Sequence, residues 1–156
     1  MVCSGGYTNY VFVFWNKKGS LLGVFGKKKQ KIMGREDKMK ILLVEDDEAI
    51  AIGLEYSLIQ EGYEVIRADT VNRAYEFLDE ADLFILDLSL PDGTGYDICK
   101  KVKEKSEKPV IFLSACDEEV NVVMGIDMGA DDYITKPFRI RELISRIRMI
   151  MRRYKA

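Results

Sequence analysis

From residue 39 onward, short aliphatic and β-branched runs alternate with longer stretches in which apolar positions recur every three or four residues. The runs have the signature of buried strands, and the longer stretches that of helices with one face on a core. Strands are predicted at 40–44, 63–68, 82–87, 109–113 and 132–135, with helices at about 47–61, 70–80, 94–105, 117–128 and 139–154. Asp47 and Thr70 are suited to cap helix N-termini, and Gly62 and Gly129 to end helices in the left-handed region. Pro109 and Pro137 add breaks, the second through an X-Pro bond of the kind that adopts cis geometry.

Residues 84–86 and 110–113 are apolar at every position, as central parallel strands covered by helices on both faces must be. The repeat therefore predicts an α/β fold, a doubly wound five-stranded parallel sheet of (βα)5 type. Right-handed crossovers place all strand C-termini on one edge, where ligands bind in such sheets. Glu45, Asp46, Asp87, Ser114 and Lys136 each stand at or just past a strand end and are predicted to converge there.

Composition narrows the setting. A chain of 156 residues that is 47% hydrophobic and 32% charged can bury a core, which excludes disorder of the whole. Cys3, Cys99 and Cys116 are widely spaced and the chain has no histidine, so no zinc site can be assembled and a reducing compartment is expected. No apolar stretch approaches the ~20 residues of a membrane span, and no signal peptide is recognisable, so a cytoplasmic protein without membrane contact is expected. Residues 1–38 carry eight Lys/Arg against two Asp/Glu, while the remainder carries 16 against 24, a balance of +6 against −8. An acidic body disfavours broad nucleic-acid binding.

The first 38 residues hold Tyr10-Val-Phe-Val-Phe-Trp15, glycine-interrupted stretches and Lys27-Lys-Lys-Gln-Lys31, with no sustained period of a helix or strand. A basic, aromatic arm for a membrane surface or nucleic acid is one reading. The reading preferred from the sequence is an atypical basic extension, disordered or upstream of a true start at Met39. Gly34-Arg-Glu-Asp37 can be encoded by purine-rich codons resembling a ribosome-binding site.

Carboxylates gathered at one sheet edge repel each other, and a hard divalent cation with oxygen ligands relieves that repulsion. Mg2+ fits, because it takes few carboxylates and keeps several waters. A carboxylate also attacks phosphorus to give an acyl phosphate when charge on the phosphoryl oxygens is neutralised, here by Mg2+ and Lys136. Ser114 is placed to hydrogen-bond a remaining oxygen. Taken singly, the acids are a helix start, Asp87 a turn residue, Lys136-Pro137 a loop and Ser114 a cap. Their convergence on one edge favours the chemical reading.

Ile41-Leu-Leu-Val-Glu-Asp-Asp47, Leu86-Asp-Leu-Ser-Leu-Pro-Asp-Gly-Thr-Gly95, Leu113-Ser-Ala115 and Gly129-Ala-Asp-Asp-Tyr-Ile-Thr-Lys-Pro-Phe138 resemble the motifs of two-component response regulator receiver domains over residues 39–154. The resemblance implies a flavodoxin-like receiver fold over residues 39–156 with strand order 2-1-3-4-5. It makes Asp87 the phosphoacceptor, charged by the phosphohistidine of a sensor histidine kinase. Asp46, Asp87 and the backbone carbonyl of Ser89 would bind Mg2+, with Glu45 acting through metal-bound water. Lys136 would pair with phosphoryl oxygens, and Ser114 and Tyr133 would form the switch pair. Asp47 falls outside this shell and is assigned to capping. Such a protein is not an enzyme beyond its own phosphorylation and dephosphorylation.

Residues 141–153 are similar to the last receiver helix of winged-helix regulators of the OmpR/PhoB type, which dimerise when phosphorylated through the fourth helix, fifth strand and fifth helix. The matching ion-pair candidates are Asp131, Asp132, Glu142, Arg146 and Arg153, with Val123 and Ile126 as apolar contacts. Val122 stands where the family commonly has a lysine. Only Tyr154, Lys155 and Ala156 follow Arg153, so no output domain and no direct DNA binding are expected of this chain, and a single-domain phosphate relay or sink is the alternative role. Ser89 and Cys116 occupy the positions that tune phosphoryl lifetime, and neither is suited to hold an attacking water, which implies slow self-dephosphorylation. Rival readings fail on particular residues. A flavodoxin-like flavin carrier needs a phosphate cradle where Glu45-Asp46-Asp47 stands, and a phosphatase of the haloacid dehalogenase type needs an acid where Ser89 stands.

Overall fold

A computed structural model of the chain describes residues 11–15, 21–26, 38–115 and 119–155, the first two stretches and 119–122 as backbone. The chain divides into two units, Met1–Asp37 and Lys38–Ala156. In the first, β1 (Val11–Trp15) and β2 (Leu21–Gly26) pair antiparallel, Val13 opposite Val24, with a register break between Phe14 and Trp15. The sequence pattern marked no element there. Alternation is the usual sign of a strand, and Val-Phe-Val-Phe-Trp hides it by being apolar at every position.

The second unit runs β3 (Lys40–Val44), α1 (Glu48–Gln60), β4 (Glu64–Ala68), α2 (Val71–Tyr75), β5 (Leu83–Asp87), β6 (Ser89–Leu90), β7 (Gly93–Thr94), α3 (Gly95–Lys105), β8 (Val110–Ser114), α4 (Glu119–Asp127), β9 (Asp132–Thr135) and α5 (Ile140–Lys155). Five strands form one parallel sheet in the order β4-β3-β5-β8-β9. Counting these strands alone, the order is the expected 2-1-3-4-5, a flavodoxin-like arrangement.

The pleat sends alternate residues to opposite faces. Leu42, Val44, Phe84, Leu86 and Phe112 face α2 and α3, packing on Val71, Ala74, Ile98 and Val102. Ile41, Leu43, Leu83, Ile85, Ile111 and Leu113 face α1 and α5, packing on Leu54, Leu58, Leu143, Ile147 and Ile150. All residues of β5 and β8 are buried, because both faces are covered. Each fully buried aliphatic or phenyl side chain contributes about 1.5–3 kcal/mol, so these two strands are a large part of what holds the core.

Local signals hold where chemistry dictates them. Asp47 accepts the Ile50 N–H at 3.1 Å and Thr70 accepts that of Arg73 at 3.1 Å, capping α1 and α2. Gly62 and Gly129 have φ of 95° and 87°, and the Lys136-Pro137 bond is cis. The second helix is shorter than its predicted span of 70–80. After Tyr75 the N–H groups of Glu76, Phe77 and Glu80 donate three residues back, to Arg73, Ala74 and Phe77, tightening the segment into turns. Lys108 Nζ closes that stretch on the carbonyls of Asp79 and Ala81, at 3.4 and 2.6 Å. Among the described residues no helix is long and apolar enough to cross a membrane.

Candidate functional site

Three strands that share the sheet's centre deliver their C-terminal residues to one spot. β3 ends at Val44 and presents Glu45 and Asp46, β5 ends on Asp87 itself, and β8 ends on Ser114. Lys136 follows β9, its N–H donating to the Ser114 carbonyl at 2.7 Å, which fixes where its side chain starts. Lys136 Nζ then donates to Glu45 Oε2 at 2.7 Å and to Asp87 Oδ2 at 2.9 Å. Glu45, Asp87 and Ser114 are buried, at 3%, 5% and 3% exposure. Asp46 is exposed, so the cluster opens to solvent on one side.

Burial pushes the Glu45 carboxyl above its ordinary range, against the pull of its hydrogen bonds to Lys136 and the Asp47 N–H, and the Asp87 charge adds to the rise. Burial by itself would lower the Lys136 ammonium, but its bonds to Glu45 and Asp87 outweigh that and hold it above its ordinary value. Three carboxylates against one ammonium leave an unbalanced negative site. Oxygen atoms of Glu45, Asp46 and Asp87 lie within 4.8 Å of one another, a spacing and donor chemistry that could hold a metal ion.

The other residues singled out from the sequence stand as follows. Asp47 caps α1, and its N–H donates to Glu45 Oε1 at 3.1 Å. The Ser89 N–H donates to Asp87 Oδ1 at 3.1 Å, which places the Ser89 peptide beside the acid. Tyr133 is half-buried with its ring edge-on to Phe112, the centroids 6.4 Å apart. Cys116 and the side chain of Val122 lie outside the described residues.

Two residues beside the site were not singled out from sequence. Gly95 opens α3 so close to β5 that an added Cβ would lie 2.4 Å from the Asp87 carbonyl oxygen, which makes glycine obligatory there. Asp92, at the tip of the β6–β7 hairpin, accepts the N–H groups of Val71 and Asn72 at 2.7 and 2.9 Å. The turn composition Pro91-Asp-Gly93 was the available signal, but it could not name α2 as the partner.

The family model described as the response regulator receiver domain matches residues 41–148. The chain belongs to that family. Among solved structures it is similar to a CheY-like receiver domain protein from Methanospirillum hungatei, with 30% identity, TM-score 0.72, and coverage of 76% of this chain and 97% of that one. The non-phosphorylated HemR receiver domain from Leptospira biflexa matches at 37% identity and TM-score 0.68, covering 72% and 94%. The BeF3-activated N-terminal receiver domain of RstA from Klebsiella pneumoniae matches at 29% identity and TM-score 0.67, covering 70% and 96%.

On this receiver the proposed dimer residues are mostly occupied within the chain. Arg146 holds Asp132 through two bonds of 3.0 and 2.9 Å and also Glu142 at 2.7 Å. Asp131 accepts the Tyr154 hydroxyl at 3.0 Å and the Val110 N–H at 3.0 Å. Arg153 is exposed, as are Val123 and Ile126 of α4. Those pairings join residues up to 23 apart in sequence, which periodicity alone does not reveal.

Proposed function

We propose that this receiver takes a phosphoryl group on Asp87 from the phosphohistidine of a sensor histidine kinase and switches its α4-β9-α5 face in response. The observation that carries the reading is Lys136 Nζ shared between Glu45 and the buried Asp87, beside a third acid that is open to solvent. An Asp87 carboxylate oxygen attacks phosphorus, the bond to the kinase imidazole nitrogen breaks, and that nitrogen keeps the electron pair. Lys136, already within hydrogen-bond reach of Asp87, pairs with the oxygens of the incoming group.

The donor set suits Mg2+, which Asp46, Asp87 and the Ser89 carbonyl would hold, with Glu45 reaching it through water. Bound there, the ion neutralises charge on the phosphoryl oxygens. Ser114 supplies a hydroxyl from the end of β8, and Tyr133 stands on the neighbouring strand, so the pair is suited to couple phosphorylation to the α4-β9-α5 face. Turnover is confined to the protein's own phosphorylation and dephosphorylation.

The ion-pair set on α5 and at the start of β9 supports affinity to the OmpR/PhoB subfamily. A phosphorylation-dependent homodimer would exchange the Arg146, Asp132, Glu142 and Asp131 pairings for equivalent ones between copies, with Arg153 free to join them. For the kinase, α1 offers Ile52, Tyr56 and Ile59, exposed at 51%, 66% and 50% along one stripe. That helix begins beside the acid cluster, so a partner seated on the stripe reaches Asp87.

Intact-mass measurement after incubation with acetyl phosphate and Mg2+ tests the reading. Wild type is expected to gain one phosphoryl adduct and Asp87→Ala none. No adduct on wild type, or equal adducts on both, refutes the assignment.

A further inference from the structure

We infer that Asp92 is a positioning residue for the Asp87 site, acting through the hairpin that carries Ser89. The inference rests on the proposed metal-assisted role of Asp87. β6 and β7 pair only Ser89 with Thr94 and Leu90 with Gly93, around the two-residue turn Pro91-Asp92. A ribbon this short does not hold its own shape in water. It is fastened at its base, where the Gly95 N–H donates to the Leu88 carbonyl at 3.1 Å and the Ser89 N–H to Asp87 Oδ1 at 3.1 Å.

At its tip, Asp92 supplies the side-chain hydrogen bonds to α2 found among the described residues. One carboxylate takes two of the N–H groups that the first turn of any helix leaves unpaired, those of Val71 and Asn72, while Thr70 takes that of Arg73. The two elements also touch at Gly93, where an added Cβ would meet Val71 Cγ2 at 3.1 Å and Asp97 Oδ2 at 3.0 Å. The two N–H groups hold the Asp92 carboxyl below its ordinary value. α2 leads out of β4, which is hydrogen-bonded to β3 and so indexed to Glu45 and Asp46. The Glu45 N–H donates to the Ala68 carbonyl at the end of β4, at 3.0 Å. Asp92 therefore ties the Ser89 end of the metal site to the framework that carries its acidic end. Without the tip bonds, the Ser89 peptide rests on the base bonds, the packing of Leu90 and the contact at Gly93.

The test is Mg2+ titration of the full chain, followed by the amide resonances of Asp87 and Ser89, for wild type, Asp92→Asn and Asp92→Ala. Melting curves run alongside. Asp92→Asn, which keeps one acceptor oxygen, is expected to bind Mg2+ about tenfold more weakly, the lower end of the range for groups that orient metal ligands. Asp92→Ala is expected to be weaker still. Both losses persist in about 1 M KCl, where a through-space charge effect is screened within roughly 3 Å. Equal Mg2+ affinity in all three proteins overturns the inference, even if the variants melt earlier, because Asp92 is then only structural. A loss that disappears in high salt overturns it in favour of bare charge. Wild type that binds no Mg2+ overturns the metal site itself, and the inference with it.

Discussion

Lys136 and Arg146 each hold two carboxylates, and the two clusters lie in very different surroundings. The Lys136 side chain is 17% exposed and its partners Glu45 and Asp87 0% and 8%, whereas Arg146 is 37% exposed with Asp132 at 15% and Glu142 at 48%. In the buried cluster water replaces a missing partner poorly, so each charge depends on the others. Around Arg146 solvent screens the same attraction and leaves little net energy. Under the proposed function, the buried cluster takes the change of charge and the exposed one the change of partner.

The sharpest way to break that contrast is Lys136→Ala. It leaves Glu45 and Asp87 facing each other without a cation and is expected to destabilise the fold by about 3 kcal/mol, as breaking a buried pair does. Glu45 already sits above its ordinary 4.5 through burial, and loss of Lys136 removes a group that held it down. A raised carboxyl keeps its proton in the folded state while the unfolded chain releases it. Stability then falls as pH rises from 4.5 through the raised value, so the cost of the substitution shrinks in acid. Urea titrations across that range check the sign, and a pH-independent cost contradicts it. Phosphoryl labelling of the variant should also collapse.

Gly95→Ala probes the same cluster through the backbone. Its Cβ would lie 2.4 Å from the Asp87 carbonyl oxygen and 3.4 Å from Leu86 Cβ, so β5 or α3 must move. Overpacking of this kind costs about 2 kcal/mol. Because the displaced atom belongs to Asp87, the proposed phosphoacceptor, labelling by acetyl phosphate should slow in the folded fraction. An unchanged rate would mean that α3 yields and Asp87 does not.

Tyr154 lets the exposed region be titrated. Burial and its bond to Asp131 push its hydroxyl from 10.0 up to about 12. A raised folded-state value means the contribution is complete below pH 10 and is lost as pH climbs through about 12. Tyrosinate absorbance of wild type against Tyr154→Phe should show one late-titrating group missing from the variant. Ionisation of that group at the ordinary value would remove Asp131 as its partner.

The same contrast explains what the sequence disclosed. The five strands, their shared edge and the convergence of Glu45, Asp46, Asp87, Ser114 and Lys136 were legible, because apolar runs and strand-end residues are local signals that topology converts into proximity. The caps at Asp47 and Thr70 and the turns at Gly62 and Gly129 were legible for the same reason. The shortening of α2 was not, since Phe77, Leu78 and Ala81 keep an apolar face whether the backbone bonds run three or four residues back. Asp92 and Tyr154 were hidden because their partners are backbone or side chains that only the fold brings near. The family resemblance supplied a candidate dimer face, yet it did not reveal that Arg146 closes on Asp132 within one chain.

Arg146→Ala should have the smallest effect on the isolated domain, and that smallness is informative. The exposed bridge to Glu142 and the two-bond contact with Asp132 are worth about 0.5 kcal/mol together if solvent screening governs them. Chemical denaturation should therefore barely separate the variant from wild type, while dimerisation of the phosphorylated protein, read by sedimentation, should weaken markedly. A stability loss as large as that of Lys136→Ala would show that the two clusters obey the same rule after all. Arg146 would then be a structural anchor of α5, and the face it was thought to lend to a second copy would lose its strongest residue.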